Sequence, residues 1–420
     1  MSTLNSGIWL RIAAVATALA AALATAGCND SSNSGCQGPG CAAYTPLTET
    51  YGLAAADFNG DGKLDLATVS WFSHGTLGNV SLYVHDASAN TFAAPLLTAN
   101  GTAPSTLTVA DINGDGYPDL ITSSNDGGFV SVLLNSGDGH GTFGAPAYLA
   151  SNGATGVAVG DLNGDGVPDL VVADYPVSMF LQSATSRGTF SAPVGLYSGG
   201  AATVLIGDLN GDHLQDVVLV DAVGVKVLFH GADPMVASFA APVSVYTQTP
   251  NAFIQGGNLI AIADIDGDGL NDLVVADPGP SGGAAPVLSV LLNDAMHPGQ
   301  FLAPLNYPLP AYTNQFTIKV ADLNGDGRPD IIVGGDSSLT VFLQQSSGAH
   351  VLLAGTSYSL MGGDAFQLEV ADLNGDGAPD IVTTSGPTRT LVGGVGVTRP
   401  GVLYQDPLHP GTFGPLMDAP

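Results

Sequence analysis

Glutamate is nearly missing from this 420-residue chain: only Glu49 and Glu369 occur, so 35 of its 37 acidic residues are aspartate. Basic residues are almost as scarce, with eight Lys and Arg against a formal net charge of −29. Phosphate binding needs clustered cations, so this shortage excludes nucleic acid and an anionic membrane surface as partners. Aspartate serves turns and ligand loops more than helix surfaces, and together with 57 glycines it points to an all-β chain. Catalytic patterns are thin. The eight histidines, His74, His85, His140, His213, His230, His297, His350 and His409, show no metal-site spacing. Two glutamates leave little room for a glycosidase pair, although aspartates could substitute. "GPSGG", Gly279 to Gly283, matches G-x-S-x-G in form, but it lies in a Gly/Pro-rich loop between strands rather than at a strand-to-helix turn.

Aspartate, by contrast, comes in clusters. In "DINGDGYPDL", Asp111, Asn113, Asp115 and Asp119 stand at relative positions 1, 3, 5 and 9, so a tight turn aims their oxygens at one point. Calcium takes oxygen ligands in flexible geometry, and in such loops the position-7 carbonyl, here that of Tyr117, joins the side chains. Gly116 at position 6 supplies the positive φ of the sharp turn. Without a cation, carboxylates so close together repel one another. The EF-hand pattern requires a glutamate at position 12 and flanking helices. Position 12 here is Thr122, inside an apolar, β-branched run that reads as a strand. The loop is therefore expected at the tip of a β-hairpin.

The loop recurs seven times, at intervals of 47 to 58 residues. Its candidate ligands, with position 7 contributing only a carbonyl, are Asp57, Asn59, Asp61, Lys63 and Asp65; Asp111, Asn113, Asp115, Tyr117 and Asp119; and Asp161, Asn163, Asp165, Val167 and Asp169. The fourth and fifth loops offer Asp208, Asn210, Asp212, Leu214 and Asp216, then Asp264, Asp266, Asp268, Leu270 and Asp272. The last two offer Asp322, Asn324, Asp326, Arg328 and Asp330, then Asp372, Asn374, Asp376, Ala378 and Asp380. Calcium is preferred to magnesium, which sheds its water reluctantly and seldom uses all-protein cages. Seven divalent ions would bring the formal −29 to about −15. The fourth loop carries His213 where the others have glycine, and a non-glycine residue at positive φ is strained, so that site is expected to be weaker or empty.

Each unit has a further strand-like run, such as "VSVLLN" from Val130, "VSMFLQ" from Val177 and "LTVFLQ" from Leu339. Five units then reach Phe-x-x-Pro: Phe92 to Pro95, Phe143 to Pro146, Phe190 to Pro193, Phe239 to Pro242 and Phe301 to Pro304. The last has only Phe413-Gly-Pro415, and the sixth has lost the signal. About four short strands per unit make one propeller blade. Repeats can also stack in an open line, but a closed ring of seven protects its edges. The repeated "ADxNGDGxPDLVV" with its Phe-Gly-Ala-Pro-like signals resembles the FG-GAP and VCBS-type repeats of integrin-α-like propellers. That resemblance spans residues 44–420 and implies a seven-bladed β-propeller of four-stranded blades, with calcium in hairpins on one face and ligand contacts on the other.

Residues 1–27 read as a signal peptide: Arg11 precedes the apolar stretch Ile12 to Gly27, too short for a comfortable membrane span. It ends in "TAGC", which resembles a bacterial lipobox with Cys28 as the lipidated residue; cleavage without lipidation is the other reading. Residues 28–43 form a Ser/Gly-rich tether, in which Cys36 and Cys41 either close a small disulfide or remain thiols. The expectation is an extracytoplasmic, monomeric propeller, held to a bacterial membrane only through a lipid or else secreted. It would serve as a non-catalytic binding or adhesion module for protein or glycan. The alternative is a propeller-based polysaccharide- or ester-cleaving enzyme. Trp71, beside Phe72 and His74, is either a stacking residue for a ligand or packing between blades.

Overall fold

The computed structural model describes residues 47–71, 77–86, 91–247, 259–279, 285–310, 315–345, 352–365, 367–384, 389–392, 395–398 and 400–419, all of them strands, turns and connecting segments with no helix. They belong to a compact unit that begins at Pro46. The proposed lipidation and disulfide cysteines, the signal segment, the Trp71 side chain, Phe72, His74 and most of the 279–283 loop lie outside the described residues.

Blade 2 illustrates the repeating unit. Thr106–Ala110, Asp119–Ser124, Phe129–Leu133 and Ala147–Ala150 form an antiparallel meander in that order. The register runs Ala110↔Asp119 across the acidic loop, Leu120↔Leu133 across the next hairpin and Val132↔Ala147 at the outer pair. Every residue of Asp119–Ser124 is buried, whereas Ala147–Ala150 is mostly exposed. A strand covered on both faces needs no apolar–polar alternation, which is why the runs following the acidic loops read as continuous Leu, Ile and Val.

The other blades follow this plan. Blade 1 contains Leu47–Ala56, Asp65–Trp71, Leu77–Tyr83 and Leu96–Thr102. Blade 3 contains Gly156–Gly160, Asp169–Ala173, Val177–Phe180 and Val194–Tyr197. Blade 4 contains Thr203–Gly207, Asp216–Val220, Gly224–Leu228 and Val243–Thr247. Blade 5 contains Ile260–Ala263, Asp272–Asp277, Val287–Leu291 and Leu305–Pro308. In blade 6 the middle two strands form one continuous element, Asp330–Phe342, flanked by Gln315–Ala321 and Thr356–Asp364. Its first half pairs with the former and its second half with the latter, and Ser337, at φ 60°, lies between the halves. Blade 7 contains Leu368–Ala371, Asp380–Thr383, Gly401–Leu403 and Met417–Asp418.

Seven apolar clusters, one at each blade interface, close the ring. The seventh joins Leu53, Leu66, Tyr83 and Phe92 of blade 1 to Ala371, Leu373, Val382 and Val402 of blade 7. An open row of seven blades would have only six such interfaces. The first strands of consecutive blades lie against one another around the centre, and that of blade 7 lies against that of blade 1. Among the described residues, the four blade strands of blade 1 all come from the start of the chain and those of blade 7 all from its end. An additional hairpin from blade 7, Arg389–Val392 with Val395–Thr398, adds a short parallel pairing to blade 1 at Leu47↔Gly396 and Thr48↔Val397. Closure therefore rests on buried apolar surface, the dominant favourable term in folding, with two residues of backbone pairing at the seam.

Candidate metal centres

All seven acidic loops join the first strand of a blade to its second, which places them on one face. The second loop shows how its residues are held. Asp111 Oδ1 accepts the amides of Gly114 and Asp115 at 2.6 and 3.1 Å, and its Oδ2 accepts that of Gly116 at 2.9 Å. Asn113 Oδ1 accepts the Asp115 amide at 2.8 Å, and Asp115 Oδ1 accepts that of Tyr117 at 2.9 Å. The first loop repeats these bonds through Asp57, Asn59 and Asp61, and the sixth through Asp322, Asn324 and Asp326. Gly114 and Gly116 take φ of 73° and 88°. At position 6, a β-carbon on Gly116, Gly269, Gly327 or Gly377 would meet nothing within 4 Å, so glycine is needed there for its torsion and not for space. His213 follows: it adopts φ 66°, points its ring into solvent, and still donates its amide to Asp208 Oδ2 at 2.9 Å. The fourth loop thus keeps the shared backbone path at the cost of strain.

The position-9 aspartates do a different job. Asp65, Asp119, Asp169, Asp216, Asp272, Asp330 and Asp380 are each fully buried. In every blade Oδ2 accepts the position-2 amide, as in Ile112 to Asp119 at 2.8 Å, and Oδ1 accepts the amide of the residue that leaves the third strand, as in Asn135 to Asp119 at 2.6 Å. Burial pushes all seven carboxyls up from 3.8 to about 6; their amide donors pull the other way and neighbouring loop carboxylates add to the rise. Each Oδ1 retains a second lone pair, so holding an amide and ligating an ion are compatible.

The residue leaving the third strand also uses its side chain. Asn135 Nδ2 donates to Phe58 O in the blade 1 loop at 2.9 Å and to Pro118 O in its own at 3.2 Å. Asn293 Nδ2 reaches Leu209 O and Asn271 O at 2.7 and 2.9 Å. Gln344 and Gln405 bond Ile265 O and Leu323 O at 2.7 and 2.8 Å, and His230 Nε2 lies 2.9 Å from Leu162 O. In these five interfaces, one blade grips the position-2 carbonyl of the preceding acidic loop. Gln182 reaches only Pro168 O of its own blade, and the ring nitrogens of His85 have no partner. The aromatic of the Phe-x-x-Pro signal pairs across from the same residue: Phe92 with His85, Phe143 with Asn135, Phe301 with Asn293 and Phe413 with Gln405. In blade 6, Leu352 takes that place opposite Gln344, so the lost signal keeps its structural position. These latch residues had not been singled out as functional. Their signal was the Asn or Gln that closes runs such as "VSVLLN" and "LTVFLQ".

The donor set is all oxygen and largely carboxylate, as a hard cation requires. Asp264, Asp266 and Asp268 bring ligand atoms within 4.8 Å of one another, and among the described residues this is the one such group of three acidic or histidine side chains. In the other six loops position 3 is asparagine, and in none does the position-9 carboxylate join such a group. Position 7 holds Lys63, Tyr117, Val167, Leu214, Leu270, Arg328 and Ala378, an indifference to side chain that suits a carbonyl contribution. Among the described residues, the one basic side chain paired with a position-1, position-5 or position-9 aspartate is the His213 imidazole, 3.7 Å from Asp208 and charged only when protonated. The loops gather carboxylate and carbonyl oxygens, and their residues fit calcium.

Aspartates outside the loops are engaged locally. Asp138 takes the Thr142 hydroxyl and the His140 amide, bonds that hold its carboxyl below the usual range. Asp294 and Asp406 each bond the imidazole three residues on, at 2.9 and 2.7 Å. Asp277 caps the Gly279 amide and accepts the Tyr246 hydroxyl from blade 4. Asp138 and Asp277 thus accept turn amides, and Asp126 lies in the 125–128 turn.

The FG-GAP-like repeat matches residues 57–122, 114–172, 264–333 and 322–383, together more than half of the chain. Each match begins in one acidic loop and ends three residues beyond position 9 of the next. No curated protein matches the sequence. Among solved structures, an Agrocybe aegerita lectin that recognises non-reducing terminal N-acetylglucosamine is 22% identical, with 74% of this chain and 80% of that chain covered and a TM-score of 0.50. A putative 6-phosphogluconolactonase from Bacteroides fragilis is 16% identical, with 72% and 82% covered and a TM-score of 0.49. A Lactobacillus plantarum protein is 15% identical, with 89% and 96% covered and a TM-score of 0.49. At these identities the likeness is one of fold.

Proposed function

Because the chain belongs to the FG-GAP-like repeat family, we propose that it is a calcium-stabilised, non-catalytic binding module working outside the cytoplasm, held to a bacterial membrane through Cys28 or secreted. Its ligand, a protein or glycan, docks on the face opposite the acidic loops. The observation that carries this reading is the placement of seven carboxylate-rich loops on one face, each bonded into the blade behind it and five gripped by the next. In each of the seven loops Asp-1, Asn-3 or Asp-3, Asp-5 and the position-7 carbonyl would hold the ion, with the buried position-9 carboxylate adding charge. Bound calcium would supply positive charge that rigidifies a turn, and the chain's own amides already orient the oxygens.

That arrangement favours a scaffold over a reaction centre. Outside the loops, Asp138, Asp277, Asp294 and Asp406 are engaged by turn amides, hydroxyls and imidazoles. A glycan and protein binding screen in millimolar calcium, run beside hydrolase and lyase panels, tests the proposal. Saturable binding without turnover is expected; turnover by the purified protein that is lost with a non-loop aspartate would overturn it.

A further inference from the structure

Near the axis of the ring, Lys319 Nζ lies 2.6 Å from Glu369 Oε2. The chain has three lysines and two glutamates, and one of each is placed here, on the first strands of blades 6 and 7. The side chains are 36% and 22% exposed, so the pair is open on one side. It faces a cavity of about 270 Å³ whose apolar wall comes from Leu205, Ile260, Ile262, Ile318 and Leu368 on blades 4 to 7. Gln367, also at the cavity, is fixed by the Leu53 amide at 2.7 Å, which ties blade 7 to blade 1. The lining residues are spread along the first strands, from Gln367 and Ile260 near their beginnings to Ile262 and Val320 near the acidic loops. The cavity therefore lies on the axis of the ring, between its two faces.

A half-buried ion pair against aliphatic side chains is a weak source of stability, because desolvation offsets much of its attraction. Its value lies in what it can recognise. We propose that this cavity binds a small zwitterion bearing an apolar substituent, of the α-amino acid class, with its carboxylate on Lys319, its ammonium on Glu369 and its side chain against Leu205, Ile260 and Ile262. An anion alone would claim Lys319 and strand Glu369, and a cation alone would do the reverse. Stranding one member of a buried pair is strongly unfavourable. A neutral apolar ligand would desolvate both charges and pair neither. A zwitterion exchanges one ion pair for two and leaves the net charge of the cavity unchanged. The cavity lies just below the range of drug-sized pockets, roughly 300 Å³ and above, and suits a single residue-sized molecule. This inference goes beyond the proposed protein or glycan ligand and owes nothing to calcium.

The test uses the full-length, calcium-loaded protein, calorimetry and thermal shift. The probes are L-leucine and L-phenylalanine, their N-acetyl and amide derivatives, and glucose. Saturable heat and a raised melting temperature are expected for at least one free amino acid, with blocked forms weaker by about tenfold or more, since each loses one charge-assisted contact. Lys319→Met and Glu369→Gln should each weaken binding by a similar factor, and the exchanged pair Lys319→Glu with Glu369→Lys should recover it. Absence of binding by both amino acids, blocked forms that bind equally well, or binding unaffected in folded single variants would each overturn the proposal. Should the single variants fail to fold, the blocked ligands still decide on the native protein. A negative result here leaves the protein or glycan screen standing, so the two readings fail separately.

Discussion

Replacing Asn293 with alanine deletes two donors and one acceptor from a site that is 2% exposed. Leu209 O and Asn271 O lose bonds of 2.7 and 2.9 Å, and the Gly299 amide loses Asn293 Oδ1 at 2.9 Å. Stranding a buried polar group costs about 1–3 kcal/mol, against about 1 kcal/mol for the average hydrogen bond. Two carbonyls at the lower half of that range give a loss of roughly 2–4 kcal/mol. Gln182→Ala is the internal control, because Gln182 Nε2 bonds only its own blade, at Pro168 O, and should cost about 1–2 kcal/mol. Both variants would be unfolded in urea with millimolar calcium, monitored by fluorescence and circular dichroism, since free energies are meaningful only where the probes coincide. Asn293→Asp sharpens the test: it keeps the shape but turns a carboxylate oxygen toward two carbonyls, and it should be worse than alanine. An Asn293→Ala protein within about 0.5 kcal/mol of the parent, the range of ordinary surface substitutions, would refute the idea that side-chain latches hold the acidic loops to the next blade.

Three further outcomes follow from the same geometry. Chelation should lower the melting temperature substantially: at about 10⁻⁴ to 10⁻³ M affinity, millimolar calcium contributes roughly 0.4–1.4 kcal/mol per site, or about 3–10 kcal/mol over seven, and an unchanged melt in EDTA would defeat the calcium reading. In metal-stripped protein the position-9 carboxyls, at about 6 folded against the ordinary 3.8 of a free aspartate, bind more protons folded than unfolded, so their stabilisation is present at low pH and lost as pH rises toward 6 and beyond. Stripped protein should therefore melt higher at pH 5 than at pH 7.5, with calcium shrinking or reversing the difference; the opposite order without metal would contradict that assignment. His213→Gly removes a strained torsion with nothing packed against the ring and should gain about 1 kcal/mol, together with tighter calcium binding at that loop by titration; a loss on both counts would mean that the imidazole supports the loop.

The blades were legible because one nine-residue pattern fixes three things at once: the hairpin tip, the start of a buried strand and the period. Asp119 had been placed as one more ligand at the loop tip, and its position in the sequence does not reveal that it sits fully buried under two amides. That role depends on Asn135, sixteen residues on, and such pairing is invisible to local pattern. The fourth strands were the least readable part. Ala147–Ala150 is short and largely exposed, so only the preceding Phe143 marked its approach. Lys319 and Glu369 are fifty residues apart on strands of different blades, and the packing of consecutive blades brings them together.

The hydrogen bonds at the acidic face run from blade to blade: Asp65 to the Phe58 amide, the Phe58 carbonyl to the Asn135 side chain, and the Asn135 amide to Asp119. This girdle is interrupted twice, at Gln182 and at His85. A ring pulled or partly melted should part at those two gaps, shedding blades 1 and 2 as one arc and keeping blades 3 to 7 as another. Strain applied through the N-terminal end would then act first on the smaller arc, and cleavage sites would open between residues 150 and 156 before they open elsewhere.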